Sequence, residues 1–382
     1  MKVVFGSANY WTSPYQVGSH AWARLFARHD WQVGYLSDPL TPWHFVGSES
    51  RARNQERLRL WKSRGEMFES RVRVWTPLAW IAPQNTRFFR TSWVQEHWHQ
   101  FARPPIHNVL SEWKMDAPDL FWMDSVRHAG WGGQLKPRRT LLRVADWSAG
   151  FRAVPASVLK LEEKWIRQAD YVVASAESLA ERLKPMRDGK PLLTLRNGVD
   201  FDFWNKDAAM PPEYAHIPGP RAIYVGAMDD WFDVPLFLKL AESLPEVSFV
   251  MIGQRPKSFA SDCRAANVHW LGSRPRDQVQ AYVRHAQVGI IPFRRNELIE
   301  CVCPLKLYEY MACGLPVVAA RWEELERMQS PATLAASLEE WVAGIRSALG
   351  RTEKQGVLSF ARDNDWKQRW AELEKSVRLT DQ

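Results

Sequence analysis

The chain has 382 residues, of which 46% are hydrophobic and 25% are charged, and its formal net charge is +8. This length is sufficient for two domains with their own cores, and this composition excludes a disordered protein. No run of 18 apolar residues occurs, which argues against a membrane-spanning helix. The first residues enter a predicted strand without the apolar region of a signal peptide, so we expect a cytoplasmic protein.

The positive charge and the 21 tryptophans together restrict the class of partner. A basic protein can bind nucleic acid, an anionic membrane surface or a negatively charged substrate. Tryptophan is enriched at membrane interfaces and stacks on sugars, and no nucleic-acid-binding motif accompanies the basic residues. We therefore expect no nucleic-acid partner. The four cysteines form no CxxC pair, which predicts reduced, packed thiols and no zinc site: Cys263, Cys301, Cys303 and Cys313.

The first half of the chain has the pattern of a parallel α/β sheet. A strand at Lys2–Gly6, a helix over about residues 18–29 and a strand at Gln32–Leu36 follow each other, and polar Ser37-Asp38-Pro39 ends the second strand. This order is typical of a doubly wound sheet, in which ligands bind beyond the carboxyl ends of the strands. Further strands are predicted near residues 119–124, 140–146, 171–174 and 192–195, with a long helix over 156–168.

A basic and aromatic segment interrupts this pattern. Residues 48–73 contain seven arginines with leucines and Trp61 between them, and six aromatic residues follow from Trp75 to Trp98. The pattern is compatible with a basic amphipathic helix on anionic lipid, and also with an ordinary solvated helix face. We expect the segment Arg51 to Trp98 to meet an anionic membrane or a lipid-linked acceptor.

The strand–helix order restarts after a polar, proline-rich connector at residues 202–220. Strands are predicted near 222–225, 247–252, 268–272 and 288–292, with a helix over 276–285, and the chain is predicted to be helical from Thr333. Two such halves predict an α/β fold of two Rossmann-like domains that face a cleft. The expected boundaries are 1–200, 201–350 and a C-terminal segment 351–382.

The most informative stretch runs from Cys303 to Ala320. Pro304 opens a predicted helix, whose first backbone N–H groups are then free to bind an anion. Lys306 and Glu309 are three residues apart and therefore share one face of this helix. A cation for a diphosphate and a carboxylate for ribose hydroxyls suit a sugar-nucleotide site. An ordinary helix with a solvated Lys–Glu pair is the alternative.

The order Pro, Lys, Glu-Tyr, Met-Ala, Gly, Pro-Val-Val in residues 304–318 resembles the donor-site signature of GT-B glycosyltransferases. The resemblance implies that Lys306 binds donor phosphate and Glu309 binds the ribose. It extends over most of residues 140–320, where the order of motifs is similar to that of bacterial GT-B enzymes that build cell-surface polysaccharides. It implies the GT-B fold, with a C-terminal helix that crosses back to the first domain. It also implies donor contacts from Gly226, Met228, Ser273, Pro304 and Leu305.

One loop departs from the commoner family pattern. Gly226-Ala227-Met228-Asp229 lacks the basic residue that usually binds the diphosphate there. Diphosphate binding must then rely on Lys306, on the helix start at Pro304, and on Arg294 or Arg295, whose forks suit a diphosphate. The alternative for these two arginines is a surface loop paired with the glutamates that follow them.

An inverting transfer needs a carboxylate that takes the proton of the acceptor hydroxyl. Asp146 ends a predicted strand of the first domain and is the preferred base. Resemblance to the xanthan-type glucuronosyltransferases, whose base is an Asp of the first domain, supports this choice. A turn or helix cap is the alternative for Asp146, and Asp124 and His20 are weaker candidates for the base. We expect no metal ion and no cofactor other than the nucleotide-sugar substrate.

Two functions of different classes follow. The first is a glycosyltransferase that moves a sugar from a nucleotide-diphosphate donor, with a UDP-sugar favoured, to a lipid-linked or glycan acceptor in polysaccharide biosynthesis, peripheral on the inner face of the membrane. The second is a catalytically silent nucleotide-sugar-binding partner subunit of the same fold. The presence of both Lys306 and Glu309 favours the first. An epimerase of the same fold is a weaker third possibility, because flanking carboxylates and histidines cannot be located.

Overall fold

The computed structural model describes residues 1–13, 16–45, 51–83, 88–255 and 265–377. The chain divides into a first unit, Met1–Leu195 with Glu374–Gln382, and a second unit, Arg196–Leu373. The division falls at residue 195 and not at 200, and residues 351–373 belong to the second unit and not to a separate segment. The expected return of the C-terminal helix to the first domain stays a prediction.

Hydrogen bonds explain why the residues just after 195 belong to the second unit. The backbone N–H of Val199 donates to the Asn364 carbonyl at 3.1 Å. The N–H of Phe201 donates to the Asp365 carboxylate at 2.9 Å. The beginning and the end of the second unit are therefore tied together.

In the described part of the first unit, eight strands form one sheet in the order β10-β9-β8-β7-β1-β2-β4-β3. All neighbours are parallel except β3 and β4. A separate antiparallel pair is formed by β5 and β6. The strands are β1 (Lys2–Ser7), β2 (Gln32–Ser37), β3 (Glu66–Phe68), β4 (Val72–Trp75), β5 (Leu78–Ala79), β6 (Ala102–Arg103), β7 (Leu120–Met123), β8 (Arg139–Val144), β9 (Tyr171–Ala174) and β10 (Leu192–Thr194).

The helices of the first unit connect these strands. They are α1 (Gly18–Arg28), α2 (Arg51–Ser63), α3 (Ser92–His97), α4 (Ile106–Glu112), α5 (Gly132–Leu135), α6 (Ala156–Gln168) and α7 (Glu177–Leu183). Aromatic rings fill the core: Phe5 of β1 stacks on Trp122 of β7 at 5.4 Å and meets Phe26 of α1 edge-on at 5.6 Å. Part of the high tryptophan content is therefore core packing, because such rings bury large apolar areas.

The second unit has a six-stranded sheet, all parallel, in the order β13-β12-β11-β14-β15-β16 among the described residues. This is the 3-2-1-4-5-6 order of a Rossmann domain, whose switch point lies between its first and fourth strands. The elements are α8 (Phe201–Asn205), β11 (Arg221–Val225), α9 (Val234–Ser243), β12 (Ser248–Ile252), β13 (Val268–Gly272), α10 (Arg276–Arg284), β14 (Val288–Ile291), α11 (Leu305–Ala312), β15 (Val317–Ala320), α12 (Glu323–Arg327), β16 (Thr333–Ala335), α13 (Leu338–Leu349), α14 (Gln355–Asp363) and α15 (Trp366–Ser376).

The structure corrects one expectation and agrees with another. Thr333 does not begin a helix, because Thr333–Ala335 pairs as a strand with β15 before α13 begins. Cys301, Cys303 and Cys313 are buried free thiols, as expected. Cys263 lies outside the described residues.

Candidate functional site

The implied donor residues gather at the carboxyl edge of the second sheet. Gly226 follows β11, Ser273 follows β13, and Arg294 lies just beyond β14. The adjacency of β11 and β14 places Gly226 and Arg294 on either side of the switch point, where ligands bind in open α/β sheets.

Two glycines at this edge allow the loops after β11 and β12 to approach each other closely. Gly226 has φ +141° and Gly253, which follows β12, has φ +146°, a conformation that residues with a Cβ rarely adopt. A Cβ on Gly253 would overlap the carbonyl oxygen of Gly226. A Cβ on Gly226 would lie 3.4 Å from the Lys306 ammonium. The positive φ therefore favours glycine at residue 226, and the missing Cβ of Gly253 lets the ends of β11 and β12 approach closely.

The segment before α11 is held by bonds to its backbone. The Asn197 side chain donates to the Cys303 carbonyl at 2.7 Å, and the Trp322 indole N–H donates to the Val302 carbonyl at 3.0 Å. The backbone N–H of Val225 donates to the Tyr310 hydroxyl at 2.8 Å, which ties α11 to the end of β11. These bonds preset the position of the helix start.

Lys306 is a half-buried cation on the first turn of α11. Its ammonium lies 4.9 Å from the centre of the Phe293 ring and 5.4 Å from that of Tyr224. Within the ranges that the structure describes, it makes no hydrogen bond or ion pair with a protein atom. Burial lowers the pKa of Lys306 to about 8, against a smaller opposing effect of Glu309. An anion bound here would remove this cost.

Glu309 lies one turn further along α11 and is also half-buried. Burial raises its pKa, and the positive charges of Arg276 and Lys306 oppose that rise. The Arg276 guanidinium is itself stacked at 3.9 Å over the Phe203 ring. The shared helix face that the spacing predicts is therefore present, and the Glu309 carboxylate and the Lys306 ammonium are close enough for each charge to act on the pKa of the other.

The other implied donor residues differ in accessibility. Pro304 and Met228 are buried, Leu305 is half-buried, and Ser273 is exposed. Their contacts with a donor stay predictions.

The two arginines of the loop after β14 have different surroundings. Arg295 pairs with Glu300 at 2.6 Å, as its alternative interpretation expects. Arg294 is exposed, and its backbone N–H donates to the Trp231 carbonyl at 2.7 Å. Arg294 is therefore the better placed of the two for an anion.

Asp146 lies at the carboxyl edge of the first sheet, just beyond β8. It is half-buried, and burial raises its pKa while the charge of Arg143 opposes the rise. Asp124, which follows β7, is occupied: its carboxylate accepts from Arg143 at 3.0 Å and from the Trp122 indole at 3.0 Å. This ion pair makes Asp124 a poorer candidate for the base than Asp146.

His20 serves the structure of the first unit and is not suited to proton transfer. Its Nδ1 accepts from the Val17 N–H at 3.2 Å, and its Nε2 lies 3.2 Å from the Tyr10 carbonyl, which can only accept. Burial lowers its pKa to about 4. The neutral ring thus closes the start of α1.

Glu162 of α6 is a titratable neighbour of Asp146 that sequence reasoning did not single out as a site residue. Burial raises its pKa to about 7, with the negative charge of Asp146 adding to the rise. Its carboxyl accepts from the Ser148 hydroxyl at 2.7 Å, which opposes the rise. A carboxyl that titrates near neutral pH beside another carboxyl is typical of acid–base sites. Only its place in the order of family motifs pointed to it.

Two Asp-x-Asp triplets in the second unit have structural partners. Asp200 accepts the Phe203 N–H at 3.3 Å and Asp202 pairs with Lys367 at 2.9 Å. In the second triplet, Asp363-Asn364-Asp365, the Asp365 carboxylate accepts the Phe201 N–H. No group of three or more His, Cys, Asp or Glu side chains among the described residues could hold a metal ion. Metal independence stays a prediction.

The basic segment is less uniformly exposed than its composition suggests. In α2, Asn54, Arg57 and Leu60 are buried, whereas Arg53 and Arg59 are exposed. Among the helices described, none is both long and apolar enough to span a bilayer.

Comparisons with known proteins agree with the fold and with the matched region. Residues 219–350 match the family described as glycosyl transferases group 1. The "Putative teichuronic acid biosynthesis glycosyltransferase TuaH" of Bacillus subtilis (strain 168) is 26% identical over 293 residues, which cover 70% of this chain and 68% of the relative.

Several solved structures share the whole fold. Sucrose-phosphate synthase from Thermosynechococcus elongatus has a TM-score of 0.69 at 13% identity, covering 99% of this chain and 98% of that one. Anabaena HepE in complex with UDP and glucose has a TM-score of 0.65 at 13% identity, with full coverage of both chains (100% and 100%). These proteins are similar in architecture and distant in sequence. The fold is therefore GT-B, with two Rossmann-like domains, and the family match and the curated relative support a glycosyltransferase.

Proposed function

We propose that the chain transfers a sugar, with inversion and without a metal ion, from a nucleotide-diphosphate donor to a lipid-linked or glycan acceptor in polysaccharide biosynthesis. The donor binds to the second unit and the acceptor to the first. UDP is the favoured nucleotide, because Anabaena HepE is similar in fold and is described with UDP and with UDP-glucose. The relative from Bacillus subtilis, named for teichuronic acid biosynthesis, supports a polysaccharide product.

The observation that carries the proposal is the Lys306 ammonium at the start of α11, which makes no hydrogen bond or ion pair among the residues that the structure describes. The two aromatic rings stabilise this cation in part, but burial still disfavours its charged form and lowers its pKa, and a bound anion would offset that cost. The positive end of the helix dipole at the same helix start favours a phosphate at this place. Glu309, one turn away, is suited to accept the ribose hydroxyls. A diphosphate nucleoside satisfies both groups at once.

Asp146 is proposed as the general base. It takes the proton of the acceptor hydroxyl while the acceptor oxygen bonds to the anomeric carbon and the bond to the donor diphosphate breaks. Lys306 stabilises the charge that develops on the departing nucleoside diphosphate. Glu162, beside Asp146, keeps a proton up to about pH 7, so that Asp146 does not face a second full negative charge at neutral pH.

A membrane-facing surface on the first unit is part of the proposal. Among the described residues, six of the eight exposed large apolar side chains fall between residues 43 and 93, and five of those six are aromatic. Exposed arginines of α2 lie in the same stretch. Tryptophan with basic residues is typical of an interface with anionic lipid. The exposed side chains are Trp43, Phe45, Met67, Trp80, Phe88 and Trp93.

The test of the donor site compares UDP with uridine. Lys306→Ala should weaken UDP binding more than uridine binding, since only UDP carries the diphosphate, and Glu309→Ala should weaken both. Lys239→Ala, an exposed lysine of α9 in the same unit, is the matched control. Unchanged affinities in both site variants would rule out the assignment. Slow release of UDP from a UDP-sugar without acceptor would separate an enzyme from a silent binding subunit.

The membrane surface is tested separately by co-sedimentation with liposomes at low salt. Binding should rise with the fraction of anionic lipid and fall in a Trp80→Ser/Trp93→Ser variant. Indifference to the anionic lipid content would contradict the proposed surface.

A further inference from the structure

A pocket of about 280 Å³ opens in the first unit at the carboxyl ends of β1 and β2. It includes Asp38 and Pro39, which directly follow β2 in the sequence. Its ionisable wall is formed by Tyr10, Asp38, His44, Arg53, Arg57 and Arg127, and Asn9 is a further polar lining residue. The glycosyl-transfer steps proposed above use none of these side chains.

The single carboxylate in this wall is already engaged. One oxygen of Asp38 accepts from His128 at 2.8 Å and the other accepts from Arg127 at 3.1 Å. Burial by itself would raise the pKa of Asp38, but the His128 hydrogen bond and the Arg127 charge hold it below the ordinary value. Asp38 is therefore ionised and compensates one arginine.

Two arginine charges remain. Arg57 is 8% exposed and donates to the backbone carbonyls of Asp38 and Pro39, at 3.0 and 2.9 Å, which carry no net charge. Arg53 is exposed and makes no ion pair with any residue that the structure describes. Glu56 of the same helix is bonded to Arg59 and to Thr12. The pocket thus has an excess of about two positive charges.

The neutral groups of the wall are hydrogen-bond donors as well. The Thr41 N–H donates to His44 Nδ1 at 3.0 Å, so the proton of the neutral ring is on Nε2. Burial and the charge of Arg57 lower the pKa of His44 to about 4, which keeps the ring neutral. Burial raises the pKa of Tyr10, whose hydroxyl keeps its proton. Positive charge and donors together suit an oxyanion.

The aromatic side chains on either side of His44 in the sequence indicate what kind of molecule carries the anionic group. His44 belongs to a short 3-10 helix, Pro42–Phe45, and its neighbours Trp43 and Phe45 are 57% and 46% exposed. One residue of this short helix, His44, therefore lines the pocket, and its two sequence neighbours are part of the exposed aromatic surface. An occupant with an anionic group beside an apolar chain matches both.

We propose that this pocket binds the phosphate or diphosphate group of a lipid-linked acceptor, while Trp43 and Phe45 contact its apolar chain or the membrane around it. The inference rests on the proposed glycosyl transfer and names its acceptor class. The excess of two arginine charges fits a dianionic phosphate better than a single carboxylate.

The place of the pocket in the sheet is compatible with this role. Asp146 follows β8, and the sheet runs β8-β7-β1-β2, so two to three strand spacings separate it from the pocket. This is about 10–14 Å along the same carboxyl edge. The acceptor phosphate would bind at one point of the edge and the reacting hydroxyl at another.

The test measures binding of geranyl diphosphate, inorganic diphosphate and geraniol to the full chain carrying Lys306→Ala, which removes the donor-site cation. Geranyl diphosphate should bind most tightly, and adding Arg53→Gln or Arg127→Gln should each weaken it by about tenfold or more. Trp43→Ala should weaken geranyl diphosphate and leave inorganic diphosphate unchanged. Lys62→Gln, an equal loss of charge on the exposed C-terminal end of α2, is the matched control.

Three results would overturn the inference. They are wild-type affinity in both arginine variants, equal affinity for geraniol and geranyl diphosphate, and equal affinity for inorganic and geranyl diphosphate, which would make the ligand a free phosphate. No sugar donor and no turnover enter the measurement. A result that refutes the assignment of this pocket can therefore be distinguished from one that refutes the proposed glycosyl transfer.

Discussion

Binding of UDP should be coupled to proton uptake by Lys306. In the unliganded protein, burial lowers the pKa of this amine to about 8. A bound diphosphate favours the ammonium form and should return the pKa towards the ordinary value for lysine. Each UDP that binds to a neutral Lys306 therefore takes one proton from solution.

The magnitude follows from the fraction of neutral amine. At pH 7 about 0.1 proton should be taken up per UDP, at pH 8 about 0.5, and at pH 9 about 0.9, for a pKa of about 8. The terminal phosphate of UDP titrates near pH 6 and contributes little above pH 8. Since the unfolded chain binds more protons than the folded protein between about pH 8 and the ordinary lysine pKa, stability should also rise across this window.

The assay is isothermal titration calorimetry with UDP at pH 8 and pH 9, in two buffers of different ionisation enthalpy. Lys306→Arg is the matched control, because arginine stays charged and should bind UDP without proton uptake. Lys306→Met should bind weakly and also without uptake. The reasoning is refuted by a wild-type protein that takes up no proton at pH 9, or by equal uptake in Lys306→Arg.

Further predictions concern the base, its neighbour and one glycine. Asp146→Asn should lower turnover by about 10²–10⁴-fold with nearly unchanged donor affinity. NMR of the wild-type product should show an anomeric configuration opposite to that of the donor. A retained configuration would exclude Asp146 as the base of an inverting reaction. Because burial raises the pKa of Glu162 to about 7 in the folded protein, the folded state holds a proton that the unfolded chain has already released, and stability should fall as the pH rises. Between pH 5 and pH 8 the free energy of unfolding of the wild type should fall by about 2–3 kcal/mol, and that of Glu162→Gln should not. A parallel loss in both proteins, measured by denaturant unfolding, would count against this. Gly253→Ala should lower the melting temperature and the UDP affinity, because its Cβ overlaps the Gly226 carbonyl oxygen at φ +146°. Gly133→Ala, where a Cβ meets nothing within 4 Å, is the control for that loss.

Most strands of the two sheets were predictable from the sequence because they are short apolar runs bounded by turns, whereas β3 and β4 lie in the basic segment and were not expected. Tyr171–Ala174 and Val268–Gly272 have the expected bounds, and β1 extends one residue further than expected, to Ser7. Thr333–Ala335 was wrongly expected to be helical. Three residues carry too little periodicity to distinguish a strand from a helix start, and pairing with β15 settles the matter.

The donor site and the base differ in how far local pattern could predict them. Lys306 and Glu309 belong to one helix, so their spacing alone predicts a shared face. Asp124 and Asp146 both end strands, and the family resemblance supported the preference for Asp146. The structure separates them through Arg143, which bonds to the Asp124 carboxylate at 3.0 Å.

The sequence by itself determined most of the alternation of strands and helices and the shared face of Lys306 and Glu309, since both depend on neighbours within a few residues along the chain. Only the tertiary structure decided the charge states. Burial lowers the pKa of Lys306 to about 8 and raises that of Glu162 to about 7, and Arg127 joins Arg53 in one pocket, because burial and electrostatic interaction depend on distance in space and not on distance along the chain.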